Sequence, residues 1–145
     1  MHKGVGLIIG NTTKDLFFVQ KKDQNYPITK WIDGFSFWGG AVEENDKSLY
    51  EALIRELQEE LTTALDYPNI QFVKEFLVKS DRNYTFYLFE LLVDETVLQR
   101  LQNQEVKEGN ADLVTKTTLL TQNWIWGLEQ VIFQYFNDTD YGTRN

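Results

Sequence analysis

Hydrophobic and polar positions change rhythm several times along the chain. "GVGLIIG" (Gly4 to Gly10) and "DLFFVQKK" (Asp15 to Lys22) are apolar runs separated by "NTTK", and they predict two strands joined as a hairpin. "KDQNYPITKWIDG" is polar, irregular and carries Pro27, so it reads as a loop. "FSFW" predicts a short strand running into Gly39-Gly40. The rhythm then becomes helical. From about Lys47 to Leu61 the apolar residues Tyr50, Leu53, Ile54, Leu57 and Leu61 recur at helix spacing, with Tyr50, Ile54, Leu57 and Leu61 forming the stripe that presses on a sheet. Ser48 with Glu51 suits a capping box, and Asp46 is a rival N-cap.

Beyond Pro68 the pattern returns to strands. "IQFVKEFLVKS" and "NYTFYLFELLV", joined at "DRN", predict a second hairpin. "DETVLQRLQNQ" predicts a short helix starting near Asp94 or Thr96, "ADLVTKTTLL" a weak extended segment, and "NWIWGLEQVIFQYF" a final amphipathic helix. "NDTDYGTRN" reads as a loose tail, from about residue 138 to 145. Strand pairs interleaved with helices, without repeats or a linker, predict one α/β domain over residues 1–145 with a mixed sheet covered on both faces.

Composition narrows the chemistry. With 22 acidic against 14 basic residues the formal charge is −8, which argues against polymeric nucleic acid as a partner, since that needs a basic patch. A small phosphorylated ligand stays compatible if a metal carries the positive charge. There is no Cys, hence no disulfide, thiolate metal site or cysteine nucleophile, and the single His is His2. Catalysis therefore falls to carboxylates, Lys, Arg, Tyr, backbone or metal. No apolar run reaches membrane-spanning length and no cleavage site follows the first one, so a cytoplasmic protein without a membrane partner is expected, with a homodimer left open.

"WGGAVEENDKSLYEALIRELQEEL" (Trp38 to Leu61) is the densest chemistry on the chain. At about 100° per residue, Glu56, Glu59 and Glu60 fall within roughly a third of the helix circumference, beside the apolar stripe. Crowded carboxylates repel unless neutralised, and an oxygen-rich acidic face suits a hard cation such as Mg²⁺. Alone, "RELQEEL" is also an ordinary solvated pattern, with Arg55 and Glu59 as an i,i+4 pair. The preceding strand and double glycine favour the metal reading, because Gly39-Gly40 lets backbone approach a metal or phosphate.

The stretch resembles the signature of the Nudix hydrolases, G-x5-E-x7-R-E-U-x-E-E-x-G-U with U aliphatic. Gly40 is followed by "AVEEN", Asp46, eight residues rather than seven, and "RELQEEL". Asp46 replaces a Glu, Asn45 a common Gly, Thr62 and Thr63 the closing Gly and aliphatic residue, and Trp38 a frequent Pro. None of these removes a carboxylate of the helix. The resemblance implies an α/β/α sandwich and an Mg²⁺-dependent hydrolase, with Mn²⁺ as an alternative ion. It also implies that Gly40 gives its carbonyl to the metal, that Glu56, Glu59 and Glu60 are metal ligands, and that Arg55 braces them. Glu56 is a candidate base, and a later loop offers Glu105 or Glu108, of which Glu108, before Gly109, is preferred. The implied substrate is a small nucleotide, a nucleoside diphosphate linked to another group. A nucleoside triphosphate comes first, with nucleotide sugars, ADP-ribose and dinucleoside polyphosphates open. A nucleotide-sensing module that does not cleave its ligand is the rival reading.

Groups that hold the rest of a ligand are less defined. Trp31, Phe35, Tyr84 and Phe86 are candidates for stacking on a base, although aromatics on strands more often belong to the core. Trp124 and Trp126, two apart on the expected helix, cannot share a face. Lys21, Lys22 and Arg82 are candidates for phosphate oxygens or solvated cations.

Overall fold

Period-two alternation, the expected mark of a strand with two covered faces, runs through the centre of the molecule. A computed structural model describes residues 2–107 and 109–137. In β1 (Lys3–Asn11), Val5, Leu7 and Ile9 join one core while Ile8 joins the other. β6 (Tyr84–Val93) runs parallel to β1 along its whole length, from Lys3↔Thr85 to Asn11↔Val93. It alternates likewise, with Phe86 and Leu88 opposed to Phe89 and Leu91. β5 (Gln71–Val78) closes the antiparallel hairpin with β6, and β2 (Leu16–Lys21) the hairpin with β1.

The other edge of β1 is shared between two strands. Ile9 and Gly10 pair with β2, while Gly4 to Leu7 pair with β4 (Trp38–Ala41). "FSFW" is therefore not one strand. Phe35–Ser36 forms β3 on β2, and Trp38 begins β4 on β1. Trp38 anchors that change of partner: its indole Nε1 donates to the Phe18 carbonyl at 2.9 Å, and its ring stacks on Phe18 with centroids 5.1 Å apart. β7 (Asn110–Thr115) completes the sheet on the far edge of β2.

Helices cover both faces, the layering expected from the interleaved pattern. α1 (Leu49–Glu60) and α2 (Glu95–Gln102) place Leu53, Leu57, Leu98 and Leu101 against Val5, Leu7 and Phe18. α3 (Lys116–Thr121) and α4 (Glu129–Asn137) place Leu119, Val131, Ile132 and Tyr135 against Ile8, Phe17 and Phe86. Ser48 rather than Asp46 caps α1, accepting from Glu51 N–H at 3.0 Å. Asp94 rather than Thr96 caps α2, accepting from Val97 N–H at 3.0 Å.

Three further expectations change. The second half of "ADLVTKTTLL" is helical, because Thr115 accepts from Thr118 N–H at 3.3 Å and starts α3. The last amphipathic segment is broken: a 3₁₀ turn spans Ile125–Gly127, with Trp126 at φ 52°, ψ 31°, before α4 begins. Tyr50 is exposed, its hydroxyl donating to the Tyr67 carbonyl at 2.8 Å, while Ala52 takes the buried place. The expected tail at 138–145 lies outside the described residues. Among the described residues no helix is long and apolar enough to cross a membrane.

Loss of the α1 cap tests how this helix is held. Ser48→Ala should lower unfolding free energy by about 1 kcal/mol in urea titrations, and an unchanged midpoint would show that packing alone sets the helix start.

Candidate active site and metal centre

Arg55 organises the outer side of α1. Its Nε and Nη2 grip the two Asp46 oxygens at 3.0 and 2.9 Å, and Nη2 also donates to the Ala41 carbonyl at 3.0 Å. Nη1 reaches Glu56 at 3.1 Å and Glu59 at 3.4 Å. The Arg55 hydrogen bonds hold the Asp46 carboxyl below the usual carboxylate range, and the Glu43 N–H adds to this. Asp46, which departs from the motif in type, is thus the principal anchor of Arg55. It closes a turn by accepting from Glu43 N–H at 2.8 Å.

Glu60 marks the inner side. It is 1% exposed, although the charge pattern alone places it on an acidic stripe beside the core. One carboxylate oxygen accepts from Gly39 N–H at 2.7 Å and the other from Gln20 Nε2 at 2.9 Å, while Lys22 Nζ donates to Gln20 Oε1 at 2.7 Å. Burial pushes the Glu60 carboxyl up to about 8, against the opposing pull of Gln20, Lys22 and the Gly39 N–H. Sequence reasoning missed Gln20. Its signal was present in "LFFVQK", where alternation puts Gln20 on the same side as Phe18.

Glu56 stands between the two. A Cβ at Gly40 would meet the Glu56 carboxyl carbon and oxygens at 2.6 to 2.7 Å, so the bare glycine backbone is what lets this carboxylate lie against β4. Glu59 is mostly exposed, its side chain 56% accessible. Glu56, Glu60 and Gly40 therefore come together, Arg55 borders them, and Glu59 leans outward to Arg55. Among the described residues no three His, Cys, Asp or Glu side chains converge as a metal cage. The donor chemistry nevertheless fits a hard divalent cation, being oxygen alone on the acidic helix and backed by a glycine strand that leaves room for a carboxylate.

The exit of α1 is rebuilt around Gln104, which the sequence did not suggest. Gln104 Oε1 accepts from the N–H groups of Thr62 and Thr63, each at 2.9 Å, and the Thr62 hydroxyl donates to the Glu105 carbonyl at 2.9 Å. Lys107 N–H donates to the Glu60 carbonyl at 2.9 Å, and its Nζ to the Gln58 carbonyl at 2.9 Å. The loop bearing Glu105 is thereby stapled to the carboxylate helix. Glu108, the preferred loop carboxylate, lies outside the described residues.

A cavity of about 590 Å³ opens beside Gly39 and Gly40. Tyr84, Phe86 and Trp126 line it, as do Lys22 and Arg82, whereas Lys21 does not. Phe35 is buried and packs edge-on to Trp124, so it is core, as is Trp124. Trp31 packs on Trp126 with centroids 4.4 Å apart.

Gly39-Gly40 on β4 thus lies against the carboxylates of α1, with Arg55 at their border. A family model described as the NUDIX domain matches residues 1–133, and the chain belongs to the Nudix hydrolase family. Among solved structures, a MutT protein from Methanosarcina mazei Go1 superposes with TM-score 0.68 at 14% identity, covering 95% of this chain and 94% of that one. A MutT structure from work on Aliivibrio salmonicida and Vibrio cholerae gives TM-score 0.64 at 21% identity, with 94% and 96% covered. The NUDIX domain of Shewanella oneidensis NrtR, complexed with ADP ribose, gives 0.68 at 16% identity, with 94% and 87% covered. At these identities the likeness speaks to fold. No curated protein matches the chain.

Two neighbouring glycines should respond differently to alanine. At Gly39, φ is 149° and a Cβ would lie 2.1 Å from the Val5 carbonyl oxygen, so Gly39→Ala should destabilise by more than about 2 kcal/mol. At Gly40 the three atoms nearest an added Cβ all belong to the movable end of Glu56. In Gly40→Ala stability should stay within about 1 kcal/mol while activity falls about 100-fold through displacement of that carboxylate. Urea titration and steady-state rates separate the two.

Burial of Glu60 also sets a pH dependence in metal-free buffer. With a folded value near 8 and an unfolded value near 4.5, the native state holds the proton more tightly between these limits. Stability should therefore be fullest below about pH 4.5 as far as this group is concerned, and fall as pH rises toward 8. Glu60→Gln should flatten that slope in EDTA, measured by thermal unfolding.

Proposed function

We propose that the protein is a divalent-metal-dependent hydrolase that cleaves a phosphoanhydride bond inside a nucleoside diphosphate derivative. The observation that carries the reading is the convergence of Glu56 and Glu60 on Gly39-Gly40, next to a cavity large enough for the rest of a nucleotide. Glu56, Glu60 and the Gly40 carbonyl, with Glu59 swung in from Arg55, are the groups that would hold Mg²⁺ or Mn²⁺. When bound, the metal neutralises the bridging phosphates and makes water more acidic.

The chain's own residues supply the remaining work. Arg55 keeps the Glu56 carboxylate aimed across Gly40 through its contacts to Asp46 and Ala41. Glu56 takes the proton as water oxygen bonds to phosphorus, and the bond from phosphorus to the bridging oxygen breaks, its electron pair leaving with the departing phosphate. Glu108 is the proposed loop carboxylate that assists. Lys22, which links the cavity to Gln20 and Glu60, balances charge near the phosphates. The −8 charge favours small nucleotides over polymeric nucleic acid.

Nucleoside triphosphates are the first substrates, and ADP-ribose is second because a similar structure carries it. Hydrolysis of a nucleotide panel in ¹⁸O-labelled water with Mg²⁺ or Mn²⁺ tests the reading. Triphosphates should yield a nucleoside monophosphate and pyrophosphate, with label in one of them, and Glu56→Gln should cut kcat by about 100-fold or more. Orthophosphate as the sole primary product, or no turnover of any nucleotide, would overturn the assignment.

A further inference from the structure

Gln20 is an amide in a place that a core usually fills with carbon. It is 0% exposed, and on β2 it pairs with Ser36 of β3 on one side and with Ala111 of β7 on the other. Strands on both sides leave its backbone no room to shift. The loop before β7 closes over the same strand at Gly109. There φ is 66°, and a Cβ would lie 2.7 Å from the Lys21 carbonyl oxygen and 3.6 Å from Gln20 Cγ. The Gln20 side chain is walled in, so its amide can serve as a fixed point for whatever it touches.

The two ends of this amide face groups of opposite charge. Lys22 Nζ donates to Gln20 Oε1 at 2.7 Å, and Gln20 Nε2 donates to Glu60 Oε2 at 2.9 Å. A flipped amide would set N–H against an ammonium and a carbonyl against a carboxylate, so charge alone fixes its orientation. Lys22 is pinned in turn. Its backbone N–H donates to the Gly34 carbonyl and its carbonyl accepts from the Asp33 N–H, each at 2.9 Å, and its side chain lines the cavity. The second Glu60 oxygen accepts from Gly39 N–H at 2.7 Å. Both oxygens therefore have set directions, and each keeps a lone pair that a cation can use.

We propose that Gln20 is a positioning residue of the metal centre: anchored by Lys22 at the cavity, it holds Glu60 in the orientation that a divalent cation requires. This role rests on the metal reading above, yet it concerns binding and is tested without turnover. Partners one step removed from a metal change its affinity by about 10- to 100-fold when they are lost. Lys22 supplies a signature that plain packing lacks. A nearby positive charge repels the cation, so removing it through space tightens binding. Removing it as the anchor of Gln20 weakens binding, and that effect disappears once Gln20 itself is gone.

Mn²⁺ is titrated into the nucleotide-free protein and the free ion is followed by electron paramagnetic resonance, with thermal unfolding as the check on folding. Gln20→Met keeps the length of the side chain without its amide and should weaken Mn²⁺ binding about tenfold or more. Lys22→Met should weaken it about threefold in the wild-type background and not at all in the Gln20→Met background. Lys22 stands at the cavity, so its variant tests the anchor even if Gln20→Met does not fold. Val19→Ala loosens the same strand from the opposite face, where Val19 packs with Ile8 and Phe17, and should leave affinity within about twofold. A Gln20→Met affinity within about twofold of wild type would overturn the role. So would unchanged or tighter binding in Lys22→Met, a Lys22 effect that persists in the double variant, or a loss in Val19→Ala equal to that in Gln20→Met. Absence of a saturable site in the wild-type protein would remove the metal reading along with it. If binding follows the expected pattern but no nucleotide is hydrolysed with Mg²⁺ or Mn²⁺, the hydrolytic reading fails and the positioning role stands.

Discussion

A buried carboxylate holds the site together. Glu60 lies at the inner end of α1 with almost no solvent contact, a placement that strongly disfavours the charged form unless its oxygens are hydrogen-bonded. The two groups that meet them come from different strands, the Gly39 N–H of β4 and the Gln20 amide of β2. This pairing fixes the last turn of α1 against the place where β1 exchanges one neighbour for another. Four residues earlier on the same helix, Glu56 is then bound to fall opposite Gly40. Sliding or rotating α1 would strand Glu60 without partners, so the polar site and the helix packing specify each other.

Arg55 completes the arrangement from the outside. Its planar fork spans Asp46, Ala41, Glu56 and Glu59, joining the turn before the helix, the end of β4 and the carboxylates themselves. The acidic face is therefore graded in environment: Glu60 desolvated, Glu56 at the glycine floor, Glu59 near solvent. The three carboxylates thus differ in burial, in partners and in freedom to move.

Much of this was legible because it follows period. Alternation located β1, β2, β5 and β6, helical spacing located α1 and α2, and the same arithmetic put Glu56, Glu59 and Glu60 on one side of a helix. Other features depend on partners remote in sequence. Nothing in "FSFW" shows that Phe35 pairs with Lys21 while Trp38 pairs with Leu7. The final helix breaks at Trp126 because Tyr26, Trp31 and Tyr84 hold that residue from three other segments. Gln104 and Gln20 escaped notice for the same reason: an amide reads as surface until the chain it bonds to is known. Asp46 was legible as a departure from the motif, whereas its grip on Arg55 required the fold.

The surface formed by Glu56, Glu60 and Gly40 is the proposed seat of a divalent cation. Titration of the nucleotide-free protein with Mn²⁺, followed by electron paramagnetic resonance of the free ion, tests it most directly. The wild-type protein should show saturable binding, weakened at least about tenfold by Glu56→Gln and by Glu60→Gln and unaffected by Glu44→Gln on the exposed loop. Absence of a saturable site, or equal affinity in all four proteins, would contradict the account.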